Sequence, residues 1–179
     1  MPMQAARLYG KEDLRVEAVK VPEVGAGEVL LAVKASAVCG TDIRMFRNGH
    51  KNASAAHPLV LGHEIAGVVE KVGPGVTGYR EGMRVAVAPN MGCGVCDQCV
   101  SGNTQLCADY RAFGINIDGG FAERLLVPAA AVRQGNLSEM PAGVDFAAAA
   151  VVAPLSCVYN AFQRCAIGPG DTVLVMGSG

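Results

Sequence analysis

Apolar and polar residues alternate along several segments of the first two thirds of the chain, and this period of two predicts β-strands. The segments cover residues 7–20, 28–38, 64–72, 83–88 and 119–127. Many short strands separated by glycine turns predict a mainly β fold with some helix, arranged as a partly open antiparallel barrel. Residues 43–58 are more polar and predict a short helix followed by a loop.

The pattern changes after Gly135. Residues 145–153 are rich in alanine. Pro154 predicts the start of a helix over 155–165, because proline is tolerated in a first helical turn but not inside a helix. Residues 172–176 form an apolar run that predicts a buried parallel strand.

A Gly-x-Gly sequence, Gly177 and Gly179, follows this predicted strand. In a dinucleotide-binding fingerprint such glycines let the backbone approach a pyrophosphate at a helix N-terminus, so we interpret both as cofactor-binding residues. The third glycine, the following helix and the acidic residue that would contact a ribose do not occur in this sequence. We therefore expect that the chain by itself does not bind a dinucleotide cofactor productively.

The composition excludes several classes of protein. The 179 residues carry a formal net charge of −1, and 5% are aromatic, with no tryptophan. This composition argues against nucleic-acid binding, which normally needs a basic surface or stacking aromatic residues. No apolar run is long enough to span a bilayer, and the first residues do not have the pattern of a signal peptide. We expect a cytoplasmic protein without a membrane partner, whose seven cysteines are reduced.

Four of the cysteines follow Cys-x2-Cys-x2-Cys-x7-Cys spacing, namely Cys93, Cys96, Cys99 and Cys107. Tight Cys-x2-Cys turns bring sulfurs onto one centre, and four thiolates complete the tetrahedral coordination of Zn²⁺ without leaving a position for substrate. The spacing predicts a structural zinc site. Two disulfides or an iron–sulfur cluster are the alternatives, although the spacing differs from the usual cluster-binding runs.

A second group of candidate ligands is dispersed along the chain. Cys39 follows the strand predicted at 28–38, and His63 with Glu64 begins the strand predicted at 64–72. These are ligand types that Zn²⁺ accepts, and a catalytic zinc needs three of them plus an open position. Taken alone, such a cysteine and histidine are more often a buried free thiol and a hydrogen-bonded core side chain.

The glycines around His63 point to a family. Gly62-His63-Glu64, Gly67, Gly73 and Val76 fall on the Gly-His-Glu-x-x-Gly-x5-Gly-x-x-Val signature of zinc-containing medium-chain alcohol dehydrogenases. The chain resembles that family, and its sorbitol and polyol dehydrogenase members in particular, from near its first residue to its last. The resemblance implies a GroES-like catalytic domain over residues 1–150 with a zinc lobe at 91–109. Residues 151–179 would then be a connecting helix and the first strand of a truncated Rossmann domain.

The resemblance also implies roles for the dispersed residues. Cys39 and His63 would be zinc ligands, and Glu64 would be a ligand or a group close to the metal. Zinc would act as a Lewis acid that lowers the pKa of the substrate hydroxyl. Thr41 would take the proton of the alcohol, and Asp42 would have a supporting role.

Two positions depart from the pattern of the family. Arg44 stands where many relatives have a histidine that ends the proton relay, so the relay would be altered or would end in water. Ala153 replaces a glutamate or cysteine that lies near or on the zinc, and alanine cannot ligate. Glu64 is therefore the predicted third ligand. Cys157 is the alternative, although we expect it to be a buried free thiol, and we expect Cys165 to lie in the core.

The intact enzyme would hold one structural and one catalytic Zn²⁺. It would oxidise a small-molecule secondary alcohol or polyol, or reduce the matching ketone, with hydride passing to NAD or NADP. Arg44, Arg47 and Lys51 could bind an anionic or polyhydroxy substrate, although such charges more often form a solvated face. Apolar surface that a later segment covers in the family would be exposed in this chain. We therefore expect the chain to self-associate or to depend on a missing partner segment, and we expect the intact protein to be a homo-oligomer.

Two other interpretations stay open. The chain could be a catalytically inactive, zinc-stabilised scaffold or interaction module, which would hold one zinc rather than two. It could also belong to the zinc-free quinone reductase branch of the same superfamily. That branch lacks both the cysteine quartet and the pair formed by Cys39 and His63.

Overall fold

The computed structural model describes residues 2–177, and short antiparallel strands dominate it. In order, the described strands are β1 (Met3–Gly10), β2 (Asp13–Val19), β3 (Val29–Ala37), β4 (Leu59–Val60), β5 (Glu64–Val72), β6 (Arg84–Val87), β7 (Asn90–Met91), β8 (Arg111–Ala112), β9 (Arg124–Val127) and β10 (Leu137–Glu139). The helices are α1 (Gly40–Asn48), α2 (Asp97–Val100), α3 (Ala129–Arg133), α4 (Phe146–Ala150) and α5 (Val152–Arg164), and a 3-10 turn spans Thr104–Leu106.

The strands form three antiparallel sheets. The largest has the strand order β10-β6-β5-β3-β9, the N-terminal sheet has the order β2-β1-β4, and β7 pairs with β8 in the cysteine-rich region. None of these sheets closes on itself within residues 2–177. The mainly β, partly open architecture that the alternating pattern predicts is confirmed.

Strand β5 lies at the centre of the largest sheet, and both of its faces are covered. Ile65 and Val69 pack into the main apolar core, whereas Ala66 packs into a smaller cluster with residues of α4. A strand covered on both faces needs small residues where another backbone comes close, and a Cβ on Gly67 would lie 2.5 Å from the Ala32 carbonyl oxygen. β5 is therefore held firmly at the point where the candidate ligands lie.

Most of the predicted strands are present, but two differ in extent. The segment 7–20 is divided into a hairpin, because Lys11 and Glu12 form a turn in which Glu12 has a φ of 58°. The segment 119–127 is a strand only from Arg124 onward, and its first residues instead donate backbone hydrogen bonds to residues 60–62. The short helix predicted within 43–58 is α1, which begins earlier, at Gly40.

The helix predicted over 155–165 is α5, and Pro154 lies in its first turn as expected. No residue of α5 is buried. Cys157 and Cys165 are exposed, so the predictions that Cys157 is a buried thiol and that Cys165 lies in the core are wrong. None of the described helices combines the length and the apolar character that crossing a membrane requires.

The buried parallel strand predicted at 172–176 is not formed. These residues belong to no strand, and the side chains from Val173 to Met176 are between 52% and 85% exposed. A parallel strand needs neighbouring strands to pair with it and helices to cover it, and no element within residues 2–177 does so here. Gly177 has a φ of 78°, and Gly179 lies outside the described residues.

Candidate metal centres

The pairing of β3 with β5 brings the dispersed candidate ligands together. The two strands are antiparallel, and Ala37 at the end of β3 lies opposite Glu64 at the start of β5. Cys39 lies two residues beyond Ala37, and His63 immediately precedes Glu64. Cys39, His63 and Glu64 each offer a ligand atom within 4.8 Å of those of the other two. One thiol, one imidazole and one carboxylate at this separation fit the three protein ligands of a catalytic zinc.

Asp42 fixes the backbone on both sides of this cluster. It is buried in the first turn of α1, and its carboxylate accepts hydrogen bonds from the Cys39 N–H at 2.9 Å and from the Gly62 N–H at 3.2 Å. Cys39 begins α1 with an extended backbone conformation, and Asp42 closes the capping box of the helix. Asp42 therefore connects the start of α1 to the segment that precedes His63.

The same carboxylate faces the imidazole of His63. Asp42 Oδ1 lies 3.5 Å from His63 Nδ1, which is an ion-pair separation rather than a good hydrogen bond, and within residues 2–177 Nδ1 has no hydrogen-bond partner. Asp42 raises the pKa of His63 to about 9 against the opposing effect of burial, and Cys39 adds to the increase. With Nδ1 directed at Asp42, Nε2 is the nitrogen left for a metal. A carboxylate behind a ligating histidine orients the ring and increases its basicity.

The thiol of Cys39 lies among hydrogen-bond donors. Burial raises its pKa, but the N–H and hydroxyl of Thr41, together with His63, outweigh burial and lower the pKa below the ordinary thiol value. This favours metal binding, because the thiolate is the form that ligates. Thr41 Oγ1 in turn accepts a hydrogen bond from Arg44 Nη2 at 3.3 Å. The predicted hydroxyl therefore lies beside Cys39, and the guanidinium lies beside that hydroxyl.

The position taken by Ala153 supplies no ligand in the structure. Ala153 lies half-buried in the first turn of α5, and Cys157, one turn later, is exposed. Cys157 is not part of the cluster formed by Cys39, His63 and Glu64. Its geometry therefore offers no alternative to Glu64 as the predicted third ligand.

Gly114 and Gly119 pack against the segment before His63, and no sequence pattern marked either glycine as part of the site. A Cβ on Gly114 would lie 2.5 Å from the Gly62 carbonyl oxygen, and a Cβ on Gly119 would overlap the same atom. Gly114 also has a φ of 68°, which glycine adopts readily and other residues rarely do. Glycine in a predicted strand can signal a close backbone approach, but it does not say which segment approaches.

The four cysteines of the lobe at 91–109 form a second cluster. All four sulfurs lie within 4.8 Å of one another. The sulfurs of Cys93 and Cys99 are 4.0 Å apart, and those of Cys96 and Cys107 are 3.8 Å apart. Sulfurs bound tetrahedrally at about 2.3 Å from zinc would be about 3.8 Å apart, whereas a disulfide needs about 2.05 Å. The cluster fits Zn²⁺, and its cysteines are free thiols rather than disulfides.

The electrostatics of this cluster also favour a cation. The N–H groups of Val95 and Cys96 lower the pKa of Cys93 to about 6. The Gly94 N–H acts in the same direction on Cys99, but burial and the neighbouring thiols prevail and raise the pKa of Cys99 to about 11. Without a metal, the Cys93 thiol therefore ionises readily, whereas the Cys99 thiol beside it resists ionisation. A divalent cation would favour the thiolate form of both cysteines.

We expect Asp42→Asn to lower the pKa of His63 from about 9 toward the ordinary value of 6.5 in the metal-free chain, because the amide carries no charge. Since folding raises the pKa of His63, its contribution to stability is complete below pH 6.5 and is lost as the pH rises through about 9. The variant should lose most of this pH dependence. The measurements are an NMR titration of the imidazole and the Tm as a function of pH.

His50 is an internal control for this titration. Burial and the nearby Lys51 lower its pKa, and Asp42 is not among the causes, so His50 should titrate identically in both proteins. An unchanged His63 pKa in Asp42→Asn would contradict the role assigned to Asp42.

Known proteins share this sequence pattern. A family model described as "Alcohol dehydrogenase GroES-like domain" matches residues 25–138. The chain is 38% identical over 161 residues to the L-galactonate-5-dehydrogenase of Escherichia coli, in a match that covers 89% of the chain and 45% of that protein. It is 33% identical over 179 residues to the sorbitol dehydrogenase of Bacillus subtilis, in a match that covers 99% of the chain and 49% of that protein.

A solved structure shows the same fold. It is that of a protein from Sinorhizobium meliloti assigned as a zinc-binding dehydrogenase and bound to NADP, with a TM-score of 0.79 and 35% identity. The superposition covers 92% of the chain and 46% of that structure. The chain spans about half the length of the curated relatives it matches.

Proposed function

Because the chain belongs to the zinc-dependent medium-chain alcohol dehydrogenase family, which has an N-terminal GroES-like domain, we propose that it supplies the catalytic half of such an enzyme. The reaction would oxidise a secondary alcohol or polyol, or reduce the matching ketone, with NAD or NADP as hydride carrier. The cluster of Cys39, His63 and Glu64 carries this proposal. The names of two relatives refer to L-galactonate and sorbitol, both polyhydroxy compounds, which supports a small-molecule substrate of this kind.

Two zinc ions are proposed for the chain. Cys39, His63 and Glu64 would hold the catalytic ion, because they bring a thiolate, an imidazole and a carboxylate together and leave a fourth position open. The structural ion would be held by Cys93, Cys96, Cys99 and Cys107. When bound, the catalytic zinc supplies Lewis acidity that lowers the pKa of a substrate hydroxyl.

Thr41 is proposed to take the proton of the alcohol. Its hydroxyl lies beside the Cys39 thiol, and its Oγ1 accepts a hydrogen bond from Arg44. A guanidinium has donors but no acceptor atom, so Arg44 cannot take the proton further. Because Thr41 is only partly buried, its hydroxyl can pass the proton to water. Asp42 orients His63 and takes no part in this transfer.

We propose that residues 1–150 form the GroES-like domain and that residues 151–179 begin a Rossmann domain. None of the residues from 151 to 177 is buried, in contrast to the preceding sheets, which supports this division. Gly177 and Gly179 are the proposed cofactor-binding residues, and the positive φ of Gly177 suits a tight glycine turn. The solved structure with bound NADP supports a nicotinamide cofactor in the intact enzyme.

A cytoplasmic homo-oligomer is proposed for the intact protein. The free cysteines support a reducing compartment. Large apolar side chains are exposed on α5, namely Leu155, Val158, Tyr159 and Phe162, which supports burial of this helix in a larger assembly.

A catalytically inactive, zinc-stabilised scaffold is the second candidate. Ala153 favours it, because alanine cannot supply the ligand that relatives place there. The two candidates differ in zinc content, since a scaffold needs only the four-cysteine site.

The test is zinc per chain, by elemental analysis after gel filtration. We expect two zinc ions in the parent chain and one in His63→Ala, because the substitution removes the imidazole from only one of the two clusters. His57→Ala is the matched control, since His57 is an exposed loop histidine outside both clusters, and it should retain two. One zinc in the parent chain, unchanged in His63→Ala, would favour the scaffold.

A further inference from the structure

The guanidinium of Arg44 lies next to the candidate catalytic cluster without an acidic partner. It is exposed on α1 and donates to Thr41 Oγ1 at 3.3 Å. Within residues 2–177 no carboxylate oxygen lies within 4.0 Å of it, whereas Arg7, Arg15 and Arg124 each contact one. The donors of Arg44 that Thr41 does not occupy are therefore available to a ligand.

The chain around Arg44 is basic. Residues 43–63 contain Arg44, Arg47 and Lys51 and no acidic residue, although the whole chain has a formal net charge of −1. Asp42 and Glu64, which flank this segment, are buried and directed at the ligand cluster. The exposed side chains of α1 therefore include Arg44 and Arg47 and no carboxylate, which favours a negative charge on a molecule that binds there.

Arg44 is also close enough to contact a substrate held at the cluster. Thr41 lies between the two groups, because its Oγ1 accepts the hydrogen bond from Arg44 while its N–H and hydroxyl lower the pKa of the Cys39 thiol. The guanidinium therefore contacts a residue that adjoins a candidate ligand of the cluster. A sugar acid or sugar phosphate carries its anionic group several bonds from its secondary hydroxyls, so one molecule can present a hydroxyl to the cluster and the anion to Arg44.

We propose that Arg44 binds the anionic group of a polyhydroxy substrate, a carboxylate or a phosphate, and so selects an anion-bearing polyol over a neutral one. This inference rests on the proposed function, because it places the reacting hydroxyl at Cys39, His63 and Glu64. A planar guanidinium with available donors matches both kinds of oxyanion bidentately.

The test compares three ligands that differ at one end, namely D-glucitol, D-gluconate and D-glucitol phosphate. Each is titrated into the zinc-loaded chain, and the affinity is measured from NMR chemical shifts. We expect at least one anionic ligand to bind about tenfold more tightly than glucitol, because a hydrogen bond to a charged group is stronger than one to a hydroxyl. The anion that gains affinity identifies the substrate class.

Arg44→Gln should bring the affinity for that anion down to that for glucitol, and Arg44→Lys should retain part of the preference because it keeps the charge. Arg47→Gln is the matched control, since Arg47 is exposed on the same helix and the substitution removes the same charge. It should reduce the preference much less than Arg44→Gln does, because only Arg44 contacts Thr41 beside the cluster. Equal affinities for all three ligands, or an equal loss in Arg47→Gln, would overturn the inference.

Zinc content, measured on the same samples, separates this inference from the proposed function. A chain that holds two zinc ions and shows no preference for an anionic ligand would overturn only the role of Arg44. An anion preference that depends on Arg44 in a chain holding one zinc ion would overturn the catalytic site and keep Arg44 as an anion-binding residue. A chain that holds one zinc ion and shows no preference for an anionic ligand would overturn both the catalytic site and the role of Arg44.

Discussion

Cys107→Ser is expected to remove one zinc ion from the chain and to lower its Tm by about 10 °C or more. Cys107 is buried, its sulfur lies 3.8 Å from the Cys96 sulfur, and it accepts a hydrogen bond from the Cys93 N–H. A structural zinc contributes about 10–16 kcal/mol to the folding of small zinc-binding peptides. The lobe has little apolar packing to replace that contribution, since several of its large apolar side chains are exposed, namely Val95, Val100 and Leu106.

The measurement is differential scanning calorimetry combined with zinc analysis. Gln134 connects the lobe to the rest of the domain through two hydrogen bonds with Gly92, at 3.2 and 2.8 Å, so unfolding of the lobe should also weaken the end of α3. Cys165→Ser is the control, because Cys165 is exposed and lies outside the lobe, and it should keep the parent Tm. A Cys107→Ser chain that has lost zinc but keeps the parent Tm would show that the lobe does not depend on its metal.

Gly73→Ala is expected to destabilise the fold by about 3 kcal/mol or more, because its methyl group has no space. A Cβ on Gly73 would overlap the Gly25 carbonyl oxygen and lie 3.1 Å from the Glu28 carbonyl oxygen. Both atoms are backbone, and the Glu28 oxygen also accepts the Gly73 N–H at 2.8 Å. The turn that leads into β3 cannot move away without losing these contacts, and β3 supports the candidate catalytic cluster.

Urea unfolding at equilibrium measures this effect. Gly10→Ala is the matched control, because Gly10 lies in β1 with no atom within 4 Å of a Cβ and without a positive φ. It should change the free energy of unfolding by no more than about 0.5 kcal/mol. A loss below about 1 kcal/mol in Gly73→Ala would mean that the turn adjusts to the methyl group.

The two cysteine-containing clusters differ in the number of protein ligands, and this difference separates their proposed roles. The lobe offers four thiols, which complete a tetrahedral site, whereas Cys39, His63 and Glu64 leave one position open. Arg44, which is exposed on α1, lies beside the cluster of Cys39, His63 and Glu64. We therefore expect substitutions in the lobe to change stability and substitutions around Cys39 to change ligand and metal binding.

Local patterns were sufficient to predict much of the fold. β5 spans the predicted residues 64–72, because its residues pack alternately into two apolar clusters on opposite faces. The four-cysteine cluster was equally predictable, since residues a few positions apart bring its sulfurs together through tight turns.

The apolar run at 172–176 shows where such patterns fail. Its composition predicts burial, but a strand is buried only if other elements pair with it and cover it, and residues 2–177 provide none. The exposure of Cys157 on α5, and of Cys165 just after this helix, has the same cause. The hydrophobicity of a segment indicates that it can be buried. Whether it is buried depends on the strands and helices that pack against it.

The sequence by itself determined the alternating strands and the cysteine lobe, because each depends on residues that are close together in the chain. The candidate ligands Cys39, His63 and Glu64 are dispersed, and the resemblance to a family signature identified them. Only the tertiary structure decided how they meet. The register of β3 against β5 places Cys39 beside His63, the carboxylate of Asp42 reaches Nδ1 of that histidine, and Gly119 packs on Gly62. These contacts join segments distant in sequence, and no local periodicity specifies which distant backbone will approach.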